Sequence, residues 1–178
     1  MSQPTPPDIR AELIQARQLL EIAQLDYKRT LKEASKTLTQ NEIASTVGVS
    51  QPAIAKTLQS AAHLPDVLEN FDSASPYEVC QRYAAGLINR DEVIRQLAAW
   101  PYPPTPRPDE FGDFTETFEG TFDDVLRANR YELISDADYA ELFDRIVSQA
   151  AESTGLESRS ASATESDAPT DLDVDSQR

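Results

Sequence analysis

One cysteine, one histidine and five glycines are all that 178 residues hold of those types, and acidic residues outnumber basic ones 31 to 16. A single Cys80 excludes a disulfide within the chain. Cys80 and His63 are too few, at no suitable spacing, to build a zinc site. No glycine-rich phosphate loop occurs. The net charge of −15 excludes a uniformly cationic coat for nucleic acid, because phosphate repels an acidic surface at every approach. No apolar run approaches the roughly 18 residues a membrane span needs. The Met-Ser-Gln-Pro-Thr-Pro-Pro start has neither the basic flank nor the apolar core of a signal peptide, so a cytoplasmic protein without membrane contact is expected.

What is present is unevenly spread. Residues 1–64 carry seven basic and six acidic groups, net +1, whereas residues 65–178 carry 9 and 25, net −16. All four lysines fall between positions 28 and 56, so the two parts should meet different partners. Length suits one domain or two small ones with a tail. Turn and composition signals divide the chain into an N-terminal helical unit over 1–64, a helical hairpin over 65–100 and a Pro-rich, then acidic and aromatic arm over 101–120. A helical pair over 121–150 and a disordered acidic tail over 151–178 complete it. The fold class expected is all-α.

Ile9, Leu13, Ala16, Leu20, Ala23, Tyr27, Leu31, Ala34 and Leu38 follow one another at steps of three and four. The spacing predicts one long helix from Asp8 to Lys36, or two broken near Leu25 to Tyr27. It leaves open whether the stripe is a coiled-coil seam or packs on neighbouring helices. Thr39-Gln40-Asn41-Glu42 is a capping box that opens a short helix to about Val47. Gly48 suits a left-handed turn, and Ser50 caps a further helix to about Ala62, ended by Pro65. Ile43, Val47, Val49, Ile54 and Leu58 are placed to form the seam between two steeply crossed helices, with Ala44 small enough for close approach.

Over these residues, 39 to 60, the chain resembles helix-turn-helix transcriptional regulators of the lambda-repressor/Cro kind. Ser-Gln-Pro-Ala-Ile-Ala-Lys at 50 to 56 also resembles the recognition helix of LysR-type regulators. The resemblance implies a DNA-binding module and not a named subfamily. It places the helix from Gln51 to Ala61 in the major groove of double-stranded DNA, with Gln51, Pro52, Ala55, Lys56 and Gln59 outward. Gln51 suits adenine, Pro52 and Ala55 a thymine methyl, and Lys56 guanine or phosphate. Ser50 suits a phosphate at the helix N-terminus, and Lys28, Lys32 and Lys36, beside Arg29, suit the flanking backbone. One such module makes few contacts. A homodimer is therefore expected, reading a palindromic operator with half-sites about 34 Å apart or a multiple of it. The competing readings are a structural three-helix unit and a lysine row that only solvates its helix. His63 reads as a cap or surface group, Cys80 as a small buried hydrophobe, and Trp100 as a core plug.

Ser75-Pro76-Tyr77-Glu78 and Asn89-Arg90-Asp91-Glu92 repeat the helix-start signal. The two short helices that follow should pair around Gly86, with Val79, Tyr83 and Leu87 facing Val93, Leu97 and Trp100. Five prolines hold 101–108 extended. Seven acids and no base occupy 109–124, interleaved with Phe111, Phe114, Phe118 and Phe122. These phenylalanines either pack on the hairpin or dock on a basic protein partner, the acids steering encounter. Thr121 and Ser135 start helices to Arg130 and Gln149. Residues 151–178 are too polar to offset the entropy of ordering.

The function expected is that of a sequence-specific transcriptional regulator. Its layout resembles that of antitoxins, which neutralise a toxin and repress their own operon. The other reading is an acidic inhibitor or immunity-type protein in which the three N-terminal helices are scaffold. No catalytic residue, metal or cofactor is implied, since the acids of 109–124 lack the basic or metal-binding companions such chemistry needs.

Overall fold

The computed structural model of the chain describes residues 8–103 and 120–163, with side chains through residue 149. Asp8 accepts the backbone N–H groups of Arg10 and Ala11 at 3.1 and 3.4 Å and so starts α1 (Ile9–Ala34). No glycine or proline interrupts α1, and it passes Leu25 to Tyr27 unbroken. Then come α2 (Gln40–Val47), α3 (Gln51–Ala61), α4 (Pro76–Ala84), α5 (Arg90–Ala98), α6 (Asp123–Arg130) and α7 (Asp136–Ala163). Among the described residues all regular structure is helical, and no helix is long and apolar enough to cross a membrane.

Helix starts follow side-chain chemistry. Ser75 Oγ accepts the Glu78 N–H at 3.2 Å, Asn89 Oδ1 that of Glu92 at 2.9 Å, and Ser135 Oγ that of Asp138 at 3.1 Å. Each bond satisfies a donor that a first helical turn leaves free. Thr121 does not cap α6. Phe122 takes that position without a side-chain bond, and Asp124 Oδ2 instead reaches back to the Gly120 N–H at 2.9 Å.

Two apolar clusters result. The larger joins Val79 and Cys80 of α4, Val93, Ile94 and Leu97 of α5, Val125 and Ala128 of α6, and Leu142 of α7, closed by Trp100. Trp100 meets Phe71 edge to face at 4.7 Å. The smaller joins Leu31 of α1, Ile43 and Ala44 of α2 and Ile54 of α3, flanked by Ala34 and Leu58. α1 enters both, since Ile14 packs on the larger cluster and Leu31 on the smaller.

Several expectations are corrected. Leu87 is exposed, because it lies beyond the left-handed turn at Gly86 (φ 76°) that points the chain away from the hairpin interface. Val47 and Val49 are also exposed. They flank the Gly48 turn, and the space intended for them is filled from α1 by Leu31 and Ala34. α7 continues to Ala163, into the segment expected to be disordered. Ala, Glu and Leu favour helix there, and no proline intervenes before Pro169. Residues 164–178 and most of the acidic aromatic arm, including Phe111, Phe114 and Phe118, lie outside the described residues.

Candidate nucleic-acid interface

Thr39 Oγ1 accepts the Glu42 N–H at 3.3 Å, and Glu42 Oε2 accepts the Thr39 N–H at 2.8 Å. The reciprocal cap fixes the entry to α2 and holds the Glu42 carboxyl below the usual carboxylate range, through the bonds from the Thr39 backbone and hydroxyl. At the far end Gly48 adopts φ 76°, ψ 31°. Its N–H and that of Val49 both donate to the Ala44 carbonyl, at 3.0 and 3.1 Å, which closes α2 and turns the chain into α3. Ile43, Ala44 and Ile54 are buried between the two helices and Leu31.

That burial sets the rotation of α3. Ile54 and Ala61 face inward, while Gln51, Pro52, Lys56 and Gln59 are exposed and Ala55 is half-buried at their edge. At 100° per residue these five share an arc of about 140°. Ser50 sits in extended conformation at the N-cap and makes no side-chain capping bond, so its hydroxyl stands at the positive end of the helix dipole. Residues 37–65 contain one acid, Glu42, and one base, Lys56. The exposed face of α3 is thus acid-free and rich in amides within a strongly acidic protein.

Gln40, the first residue of α2, gains a role that spacing does not reveal. Its Oε1 accepts a hydrogen bond of 2.5 Å from Nε2 of Gln51, the first residue of α3. The bond ties together the N-termini of the two helices and orients the Gln51 amide. Glutamine at the first position of each helix, eleven residues apart, is the signal the sequence offers.

The lysines divide. Lys56 is exposed and has no ion pair among the described residues, nor does half-buried Lys28. Lys32 Nζ pairs with Asp66 at 2.7 Å and Lys36 with Glu33 at 2.5 Å. The bond from Lys32 draws the Asp66 carboxyl below its ordinary value, and the bond to Glu33 draws the Lys36 ammonium above its own. Arg29 turns inward. It pairs bidentately with Glu78 at 2.6 and 2.7 Å and is not part of the row. His63 is exposed just past α3.

Of the residues outside this face, Cys80 is fully buried, and burial pushes its thiol far up, which removes the thiolate a nucleophile needs. Phe122, for which packing within the chain and docking on a partner were both open, is half-buried against the larger cluster. Its ring lies 5.6 Å from both Tyr102 and Tyr139 and 6.1 Å from Phe143. The proline-held chain at Tyr102 brings these rings together. No group of three or more His, Cys, Asp and Glu side chains among the described residues is placed to hold a metal ion. The chain matches no protein-family model, no curated protein and no solved structure.

Proposed function

We propose that α1, α2 and α3 form a helix-turn-helix module that binds double-stranded DNA sequence-selectively, with α3 in the major groove, and that the protein is a transcriptional regulator. The observation that carries this reading is the bonded pair Gln40–Gln51 at the head of an exposed, acid-free α3 face. A glutamine amide oriented by a second amide is suited to a bidentate contact with adenine. Lys56, one turn further along and without an ion pair among the described residues, supplies a cation for guanine or phosphate. Pro52 and Ala55 offer small apolar contacts for a thymine methyl, and Ser50 a hydroxyl for phosphate.

Lys28 has no ion pair to give up among the described residues, whereas Lys32 and Lys36 reach a phosphate only by leaving Asp66 and Glu33. Two copies on a palindromic operator supply the contacts that one module lacks. The acidic remainder, net −16 over residues 65–178, is repelled by phosphate and suits a basic protein partner. An autorepressing antitoxin combines these two surfaces.

The test is selection of duplexes from a randomised pool by the full chain, followed by titration of the enriched sequence and of a scrambled one. The reading requires enrichment of a defined sequence, affinity that falls with salt, and loss of selectivity in Gln51→Ala. A protein that enriches nothing, or whose Gln51→Ala and Lys56→Ala variants bind DNA unchanged, is not this regulator. In that case the three helices serve as scaffold for an acidic interaction protein.

A further inference from the structure

α1 buries one face and leaves the opposite one bare. The covered face, through Ile14, Gln18, Ile22 and Arg29, lies on α4 and its neighbours. The bare face carries Ile9, Leu13, Ala16, Leu20, Ala23 and Tyr27, all exposed, with Ile9 60%, Leu13 66%, Leu20 51% and Tyr27 39% accessible. Their steps of 4, 3, 4, 3 and 4 fill the a and d positions of a heptad repeat, with Leu13, Leu20 and Tyr27 at a and Ile9, Ala16 and Ala23 at d. Of the stripe, Leu31 and Ala34 pack on α2 and α3, while the stretch from Ile9 to Tyr27 has no partner among the described residues and packing on α4 has gone to a different face.

We propose that this stripe is the homodimer seam, closed by the same face of a second copy in a parallel, in-register coiled coil. The flanking charges select both partner and orientation. Arg10 and Arg17 occupy e positions, and Glu12, Asp26 and Glu33 occupy g positions; Arg10, Asp26 and Glu33 are engaged by Glu132, Arg82 and Lys36, which leaves Glu12 and Arg17 as the pair that counts. In a parallel pair each g residue meets the e residue five positions on in the other copy, which sets Glu12 of one copy against Arg17 of the other, twice by symmetry. An antiparallel pair sets g against g and e against e, so acids meet acids and Arg17 meets arginine. Arg17 is free to make the exchange, since its present partner is Glu21 on its own helix and its side chain is 64% accessible.

The helix is already held in shape by α4 and α3, so association does not have to pay for its folding. The inference rests on the DNA-binding reading only for its consequence. A parallel two-fold axis sets both α3 helices at the same end of the coil, where one duplex can meet both. An antiparallel pair puts them at opposite ends of a helix about 39 Å long.

The experiment is sedimentation of the full chain without DNA, beside two sets of variants. A dimer is expected for the wild type. Leu13→Asp with Leu20→Asp should be monomeric with unchanged helical circular dichroism. Leu13→Cys should cross-link to itself on oxidation, because in-register copies place residue 13 beside residue 13, and Cys80 is too buried to compete. Glu12→Arg and Arg17→Glu should each weaken the dimer and restore it when mixed. A wild-type monomer, a dimer indifferent to the double aspartate change, or a Leu13→Cys dimer that does not cross-link overturns the proposal. A monomer that binds DNA selectively overturns the seam alone, and a seam dimer that enriches no DNA overturns the regulator alone.

Discussion

Arg29 of α1 grips Glu78 of α4 through two parallel hydrogen bonds of 2.6 and 2.7 Å, with the two side chains 14% and 5% exposed. The same carboxylate accepts from Arg82 at 3.0 Å and from the Ala74 N–H at 3.1 Å, while Arg82 also pairs bidentately with Asp26 of α1. α1 is therefore locked to the acidic body by charge on one face, beside the small core it shares with α2 and α3. The orientation of the candidate DNA-binding surface depends on this lock.

Removing the carboxylate should expose the cost of leaving two guanidinium groups poorly paired. Glu78→Gln keeps the shape but not the charge, and breaking one side of a buried pair typically costs about 3–5 kcal/mol. Urea denaturation of the variant should show a lower midpoint with an unchanged slope, the product of midpoint shift and slope equal to that loss. A loss well below 1 kcal/mol would mean that the network is solvated in solution.

The same group sets a pH dependence. Burial alone would raise the Glu78 carboxyl, but the bonds from Arg29, Ala74 and Arg82 outweigh it and hold the group below its ordinary value of 4.5. The unfolded chain then takes up this proton more readily than the folded one, so the contribution is complete above the ordinary value and is lost as pH falls below it. Glu92, held at about 2 by bonds from Arg95 and Gln96, acts in the same direction. Urea midpoints measured from pH 7 to 3 should fall steeply below about pH 4.5. In Glu78→Gln they should fall less steeply, keeping the Glu92 share.

Gly48 and Gly86 share φ 76° but not surroundings. A β-carbon on Gly48 would meet nothing within 4 Å, so Gly48→Ala should cost only the left-handed backbone penalty, about 1–2 kcal/mol. Gly48→Asn should cost less. A β-carbon on Gly86 would lie 2.9 Å from Gln15 Nε2, which donates to the Ala85 carbonyl. Gly86→Ala should therefore be the more destabilising of the two alanine changes, by the share that Gln15 contributes. Thermal melts of the three variants rank them.

The small core makes a sharper contrast. Ile54 is 1% exposed at the centre of the three-helix cluster, and Ile54→Ala should cost about 2–5 kcal/mol through lost burial and the cavity left behind. Val49, spaced in the sequence as a seam residue, is exposed, and Val49→Ala should stay within about 0.5 kcal/mol. Equal losses at the two positions would restore Val49 to the interior.

Helix starts were legible because Asp8, Thr39, Ser75, Asn89 and Ser135 act on donors within three residues of themselves, and local chemistry is what a sequence displays. The rotation of α1 was not. Its heptad stripe is the strongest apolar signal in the helix, yet only the stripe's end, Leu31 and Ala34, packs on α2 and α3, and the face that packs on α4 holds Gln18, Asp26 and Arg29. These polar groups are held there by Gln81, Arg82 and Glu78 of α4, far along the chain. Distant ion pairs leave no periodicity. Val47 and Val49 misled for a related reason, since the two-helix turn has its third wall in α1 and Leu31 takes their place. At the candidate interface the outward residues of α3 came with the helix-turn-helix resemblance, while the Gln40–Gln51 bond required the two helix ends to be brought together.

Lys56 separates phosphate contact from base reading. It is the exposed α3 cation, with no ion pair among the described residues to be broken on binding. If it meets a phosphate, Lys56→Ala should weaken binding to the enriched and the scrambled duplex alike, and lower the slope of log affinity against log salt by about 1 for each module engaged. Contact with guanine instead predicts loss confined to the enriched duplex, relaxed at one base position in each half-site. Gln51→Ala should do the second whatever Lys56 does, because an uncharged amide releases no counterion. Fluorescence anisotropy on both duplexes over a salt series distinguishes these outcomes. The thermal melt of Lys56→Ala should be unchanged, since the side chain leaves no partner behind.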